Sequence, residues 1–314
     1  MKMKFNIPDD RGKLYEVIKY PAGEIQTRLT ANGIAAVLKD GVDAYEIVAN
    51  PIPDVIELAQ LNDAIQYTAF KTKGRLFRER SLFLPYLPYA RADRRFVDGD
   101  SHGFGIFMKF IEALEFTSVW TFDAHNAGLA RAYGIVNVLP TYEPTDQLLP
   151  IIQDMGKKSL VLVLPDVGAA KRYDLSKYKL PVLVAGKIRD AATGKLTGFK
   201  IGSGIKYYKS ALIIDDICDG GGTFVGLGQL IKKKNPNIKL ALYVSHGIFS
   251  KGTQVLAADG GITELYISGY SIKGQEYDTF NEVRDGRLHR LQRRSMVGRY
   301  EPDFPHRLLQ VRTR

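Results

Sequence analysis

The stretch "ALIIDDICDGGGTF", residues 211–224, runs four apolar residues into two adjacent aspartates, then a third acid, three glycines and a threonine. A short apolar run bounded by turn residues reads as a buried strand, and in a parallel sheet ligands gather at the carboxyl ends of the strands. Asp215 and Asp216 would stand at that end. The "DGGGT" that follows leads into a helix starting near residue 222. Glycines let the backbone curl so that several N–H groups point inward, and a helix N-terminus adds partial positive charge. Such a turn can cradle a monoester phosphate. The carboxylates would repel the phosphate, but they accept hydrogen bonds from sugar hydroxyls nearby or reach a magnesium ion. A sugar phosphate satisfies both halves of the pattern; an ordinary glycine-rich turn after a strand is the plainer reading of the same letters. The chain has no G-x-x-x-x-G-K-[ST] loop and no G-x-G-x-x-G fingerprint, which disfavours the usual nucleotide-binding motifs.

Outward from this stretch, apolar runs of strand length alternate with segments of helical period, the pattern of an α/β architecture with largely parallel sheet. Strands are predicted at 44–49, 81–86, 118–122, 159–165, 211–215, 239–245 and 264–268, and helices at 54–70, 103–115, 145–155, 222–233 and 251–259. "LPTYEPTD" (139–146), with two prolines, is the expected boundary between two halves, 1–145 and 146–314, similar in architecture though not a sequence repeat. At 314 residues the chain is long enough for two domains of about 150 residues, each with its own core.

No run of about 20 apolar residues is present, which argues against a membrane-spanning helix. The N-terminal "MKMKFNIPDDRGKLYEV" lacks the apolar core of a signal peptide, and the single cysteine, Cys218, leaves no internal disulfide or cysteine-rich zinc site. Both point to a cytoplasmic, reducing setting. The net charge is +10, and residues 281–314 hold nine arginines against four acids. No aromatic-interleaved basic motif accompanies that excess, so nucleic acid is not the expected partner. A solvated tail, an acidic neighbour, or attraction of small anionic substrates each accounts for it.

"LIIDDICDGGGT" resembles the signature with which type I phosphoribosyltransferase-fold proteins hold ribose 5-phosphate. Four further stretches, "LFLPYLPYARADRR" (82–95), "TFDAH" (121–125), "PDVGAAKR" (165–172) and "YVSHGIFS" (243–250), resemble the ribose-phosphate diphosphokinase family, in its order and at about its spacing. "YPAGEIQTRL" (20–29) is similar to that family's first nucleotide-contacting segment, so the resemblance covers roughly residues 15–265. It implies two phosphoribosyltransferase-like domains, each a mainly parallel sheet flanked by helices. It also implies transfer of the β,γ-diphosphoryl group of ATP to the C1 hydroxyl of ribose 5-phosphate, with magnesium as cofactor and a homo-oligomer, dimer or hexamer, as the assembly.

By the same resemblance Asp219, Gly220, Gly221, Gly222 and Thr223 would hold the 5-phosphate, and Asp215 and Asp216 the ribose hydroxyls. Gly220 stands where the family commonly has threonine, which leaves the backbone donors but removes a hydroxyl. His125 and Asp166 would be magnesium ligands, joined by Asp123 two residues before the histidine. Tyr20, Ala22, Glu24, Arg91 and Asp93 would contact ATP, with Tyr20 at a position where the family usually has phenylalanine. Arg91 could pair bidentately with phosphate oxygens. Lys187 and Arg189 match a Lys-x-Arg of the family's catalytic loop. The polar segment "GKIRDAATGKLTG" (186–198) is open to two readings, a lid that closes two cations over the diphosphoryl group or an exposed hairpin. "FVDGDSHGFGIF" (96–107) and the basic tail from about 270 depart from the family pattern, in regions that bear on its oligomer contacts and regulation. Two alternatives remain beside the diphosphokinase: a phosphoribosyltransferase that consumes phosphoribosyl diphosphate, and a non-catalytic regulatory homologue.

Overall fold

A computed structural model of the chain describes residues 2–50, 54–134, 136–139, 147–189, 196–268, 279–284 and 287–292. The boundary segment expected at 139–146, beyond Leu139, lies outside them. So do the tip of the 186–198 segment and the tail after residue 292.

The first part of the chain comprises β1 (Lys2–Ile7), β2 (Tyr15–Lys19), β3 (Ile25–Leu29), α1 (Ala31–Leu38), β4 (Ala44–Ala49), α2 (Val55–Lys73), β5 (Glu79–Leu84), α3 (Gly103–Ala113), β6 (Ser118–Phe122), α4 (Ala127–Ala132) and β7 (Val136–Leu139). Strands β1-β4-β5-β6-β7, in that spatial order, pair in parallel as one sheet, while β2 and β3 form a separate antiparallel hairpin. β4, "AYEIVA", is buried at every position, as a central strand covered on both faces must be. Its one acid, Glu46, is only 5% exposed and is neutralised by Lys2 and Lys4 of the edge strand, at 3.0 and 3.4 Å. α2 starts where the Asp54 side chain accepts from the N–H groups of Ile56 and Glu57, and it ends at Gly74 in the left-handed conformation, φ 68°.

The second part comprises α5 (Leu148–Met155), β8 (Leu160–Leu164), α6 (Val167–Arg172), β9 (Val182–Val184), β10 (Gly186–Arg189), β11 (Leu196–Lys200), β12 (Ser210–Cys218), α7 (Gly222–Lys234), β13 (Lys239–Gly247), α8 (Gln254–Ala258), β14 (Glu264–Ser268), β15 (Thr279–Arg284) and β16 (Arg287–Gln292). Its sheet has the order β16-β15-β14-β13-β12-β8-β9, parallel except for the antiparallel edge pair β15 and β16. Two apolar layers sandwich it: Ala211 and Ile213 face one with α7, while Leu212 and Ile214 face the other with α5 and α6. The mainly parallel α/β class expected from the sequence is what the structure shows.

Two expectations need correction. The strand of the opening stretch does not stop at Asp215: it continues to Cys218, because β13 keeps pairing with it (Asp215 opposite Val244, Ile217 opposite His246, Cys218 opposite Gly247). The strand expected at 81–86 ends at Leu84, before Pro85. The segment 186–198, open to two readings from the sequence, takes the hairpin form at its described base. It is an antiparallel hairpin, with Lys187 opposite Phe199, and the Phe199 ring packs so closely on α7 that a Cβ at Gly226 would collide with it. No helix among the described residues is long and apolar enough to cross a membrane.

Candidate active site

β12 pairs with β8 only as far as Ile213 opposite Val163, after which β8 ends and the chain turns into α6 at Asp166. β12 therefore projects three residues or more beyond its neighbour on that side. Asp215 and Asp216 sit on this projecting ledge, and they face a cavity of about 380 Å³ whose lining includes Arg91, His125, Asp166, Arg172, Lys187 and residues 219–224.

The first sheet reaches this ledge through the end of β6. Asp123, with φ 44°, turns the chain so that His125 extends towards β12, and its Nδ1 lies 2.7 Å from Asp216 Oδ2. Three more bonds fasten the same turn to the second sheet. Tyr173 donates its hydroxyl to Asp123 at 2.8 Å, Ser245 donates to the same carboxylate oxygen, and His246 Nε2 donates to the Phe122 carbonyl at 2.9 Å. Asp123 is thus a buried tie between the halves. Burial, with the Asp216 charge nearby, pushes its carboxyl up to about 7. It was expected as a magnesium ligand; its geometry is that of a buried acceptor already holding two hydroxyls.

Arg172, the last residue of α6, is the cation of the ledge. Its Nη1 lies 2.6 Å from Asp216 Oδ1 and 3.4 Å from Asp215 Oδ1. Burial opposes its charge, yet the carboxylates of Asp216 and Asp215 hold its pKa above the usual value. Burial likewise opposes the charge on Asp216, but the His125 hydrogen bond and Arg172 outweigh it and hold that carboxyl below its ordinary range. Asp215 is pushed the other way, by burial and then by its charged neighbour. The surroundings thus favour negative charge on Asp216 over Asp215. Because His125 Nδ1 donates to that carboxylate, the 3.3 Å approach of Arg172 Nη2 to the same nitrogen is a contact of two donors, both held by Asp216.

On the opposite wall Asp166 caps α6 by accepting from Ala169 N, and its second oxygen receives Lys187 Nζ at 2.8 Å. Burial raises the Asp166 pKa, but the Lys187 bond and the helix amides leave it lowered overall. Lys187 therefore reaches the cavity from β10. Of the expected pair it alone lines the cavity among the described side chains, since that of Arg189 lies outside them. Beneath Lys187, Gly221 takes φ 75° at the start of α7, a conformation costly for a residue with a Cβ, and no side chain caps the helix. Phe224 N already donates to the Gly221 carbonyl at 2.9 Å, which leaves the amides of Gly222 and Thr223 as the first-turn donors open to an anion.

A second cavity, of about 490 Å³, adjoins the first behind His125 and Arg172 and is lined also by Asp93, Arg94, Asn126, Arg131 and Lys171. Asp93 is held below the carboxylate norm, at about 2, chiefly by its hydrogen bonds from Arg94, and it also accepts from Asn126 at 2.8 Å. Tyr20 and Glu24 close the tip of the β2–β3 hairpin, where Tyr20 N donates to Glu24 O. Neither they nor Ala22 line these two cavities. The remaining predicted residues, Asp215, Asp216, Asp219 to Thr223, Arg91, His125 and Asp166, come together around the first cavity. Sequence reasoning gave no role to Arg172, Tyr173, Ser245 or His246. Arg172 had one available signal, a strand–Asp–helix unit ending in arginine six residues on, but a basic residue ending a helix is ordinary.

Among the described residues no group of three or more His, Cys, Asp and Glu is arranged to hold a metal ion. His125 nevertheless has the form of a metal-binding imidazole. With Nδ1–H given to a carboxylate, its Nε2 lone pair is the one turned free for a ligand. Asp166 is a carboxylate about one third exposed on the cavity wall. Magnesium bound by one or two protein groups and by substrate phosphates needs no larger cluster.

The fold and the site together define an α/β protein in which two mainly parallel sheets meet at one cleft lined by paired aspartates, a glycine-rich turn and several cations. The chain resembles the ribose-phosphate pyrophosphokinases along most of its length. It is 26% identical over 280 residues to "Ribose-phosphate pyrophosphokinase" of Mycoplasma pneumoniae, covering 85% of this chain and 81% of the relative. It is 27% identical over 247 residues to the protein of that name from Thermococcus kodakarensis, covering 76% and 79%. The solved structure of phosphoribosylpyrophosphate synthetase from Mycobacterium smegmatis has the same fold, with a TM-score of 0.66 at 18% identity over 86% of this chain and 89% of that one. No family model matches the chain.

Proposed function

We propose that this chain is a ribose-phosphate diphosphokinase, transferring the β,γ-diphosphoryl group of ATP to the C1 hydroxyl of ribose 5-phosphate to give phosphoribosyl diphosphate and AMP. The observation that carries the reading is the junction of the two sheets: the Asp215–Asp216 ledge and glycine cradle of one meet His125 of the other, with Lys187 across the gap. Relatives bearing that enzyme's name support it. A phosphoribosyltransferase would need the cradle but not the wall built by Arg91 and His125.

In this reading residues 219–223 receive the 5-phosphate and Asp215 and Asp216 accept from the ribose hydroxyls, which fixes the C1 oxygen in the cleft. Lys187 neutralises charge developing on the transferred group, and Arg189 follows it on the same hairpin. Arg91, beside His125, would fork onto nucleotide phosphates. His125 and Asp166 would hold magnesium, which supplies Lewis-acid neutralisation of phosphate oxygens when bound. Tyr20, Ala22 and Glu24 sit away from the cavities, so a homo-oligomer in which a neighbouring copy brings that hairpin tip to the nucleotide would complete the site. Two domains meeting in the segment 139–146, and a cytoplasmic location suited to the buried free thiol of Cys218, go with the same proposal. The test is product identity: with ATP, magnesium and ribose 5-phosphate the expected product is AMP, formed only when the sugar phosphate is present. ADP would mean transfer of a single phosphoryl group and would refute the assignment.

A further inference from the structure

The cradle for the 5-phosphate contains no cation: residues 219–223 read Asp-Gly-Gly-Gly-Thr, and two more carboxylates stand just upstream. A monoester phosphate carries about −1.5 to −2 charges at neutral pH. Arg172 is already engaged by Asp215 and Asp216. A helix N-terminus offers only about half an elementary charge. Binding a dianion beside Asp219 therefore calls for another positive group.

The turn after β13 supplies one. Ile248 N and Phe249 N both donate to the Cys218 carbonyl, at 2.8 and 3.1 Å, and Gly252 N closes the turn onto Phe249 O at 2.8 Å. The turn is thereby fastened to the residue just before Asp219. Lys251 lies in it, exposed, and its stem runs directly over Gly220: the Cγ, Cδ and Cε atoms lie 3.7, 3.5 and 3.5 Å from where a Cβ on Gly220 would stand. Gly220, unlike Gly221, does not adopt a left-handed conformation, so the backbone does not demand glycine there. The missing side chain instead leaves the space along which the lysine lies.

We propose that Lys251 is the cation of the phosphate cradle, its ammonium pairing with the 5-phosphate of the bound sugar while its stem rests on Gly220. The proposal depends on the sugar-phosphate reading of the site, and it assigns Lys251 to binding, not to the transfer step. The Lys251→Met substitution keeps the stem and removes the charge, whereas Lys251→Arg keeps a charge. Calorimetric titration with ribose 5-phosphate, with melting recorded alongside, is expected to show about five- to tenfold weaker binding for the Met variant, the modest loss of an exposed charge-assisted contact. The Arg variant should stay within about threefold of the parent, since its guanidinium also pairs with phosphate. In the activity assay the Met variant should raise KM for the sugar phosphate with kcat nearly unchanged. Parent protein that binds while the Met variant binds equally well would overturn the role of Lys251 alone. An Arg variant as weak as the Met variant would overturn it too, by tracing the effect to shape. Parent protein that fails to bind ribose 5-phosphate would overturn the functional reading and this inference with it.

Discussion

Replacing Arg172 by methionine removes a guanidinium that bridges both ledge carboxylates, at 2.6 Å from Asp216 and 3.4 Å from Asp215. Asp216 is 4% exposed, so its charge would be left in a poorly solvated place with His125 as its remaining side-chain partner among the described residues. Breaking a buried pair by removing one member costs about 3–5 kcal/mol. The cost is limited here because Arg172 and Asp215 each retain 16% side-chain exposure and because the carboxyl pair can take up a proton, so about 3 kcal/mol is the expected loss. For a large domain each kcal/mol moves the midpoint by about 2–4 °C, giving a fall of roughly 6–12 °C by calorimetry at pH 7. Removing the charge that suffers should give part of this back: Arg172→Met combined with Asp216→Asn should melt above Arg172→Met alone, a coupling that independent sites would not show. Sugar-phosphate binding should weaken in both variants, since a protonated or amide ledge accepts fewer hydrogen bonds from ribose. A folded Arg172→Met protein melting within about 2 °C of the parent would refute the argument that this guanidinium stabilises the acid pair.

Two further predictions concern other parts of the site. Lys187→Ala should lower turnover by about 10²–10³ while leaving melting almost unchanged, because a partly exposed pair with Asp166 contributes about 0–1 kcal/mol; near-normal turnover would make β10–β11 a structural hairpin only. Burial pushes His246 down to about 4 from 6.5, so the folded protein binds fewer protons than the unfolded chain between those values. The stability this leaves intact above pH 6.5 should be lost progressively as pH falls towards 4, by about 3 kcal/mol in all. His246→Asn should flatten that slope, and melting curves of parent and variant that stay parallel from pH 7 to 4.5 would exclude it.

The elements legible in the sequence were those buried on both faces. β4, β6 and β14 fall where the apolar runs place them, since a strand covered by helices on both sides must be apolar almost throughout. β1 went unseen because "KMKFNI" alternates lysine with apolar residues, the pattern of an edge strand whose lysines serve Glu46. The end of β12 was missed for a related reason. Asp215 and Asp216 interrupt its apolar run, and only the pairing with β13 carries the strand to Cys218. The site divides in the same way. Asp215 to Thr223 lie within one strand end and the turn that follows it, so local spacing exposes them. Asp123 is tied to Tyr173 and Ser245, 50 and 122 residues away, and no local pattern marks such partners. What they do also explains why Asp123 looked like a metal ligand: an acid next to a histidine at a strand end is the same string of letters whether the carboxylate opens on the cleft or ties two sheets together.

That tie bears on how the cleft can act as one unit. His125 follows a strand of the first sheet and Asp216 lies in the second, so any slip between them would separate the two walls of the cleft. Three hydrogen bonds at Phe122 and Asp123, all made between buried groups, oppose such a slip. Lys187 is placed differently. It stands on a two-stranded hairpin outside both sheets, and its ammonium rests on Asp166, a carboxylate already partly satisfied by Ala169 N. Diphosphoryl oxygens entering the cleft would offer that ammonium several anionic acceptors in place of one. The exchange trades one exposed ion pair for another, so it costs little, and the lysine arrives at the reacting group without a buried charge ever going unpaired. In the proposed diphosphoryl transfer the opposite walls would play different parts, a buried strand presenting the acids to the sugar and a hairpin presenting a cation that can change partner.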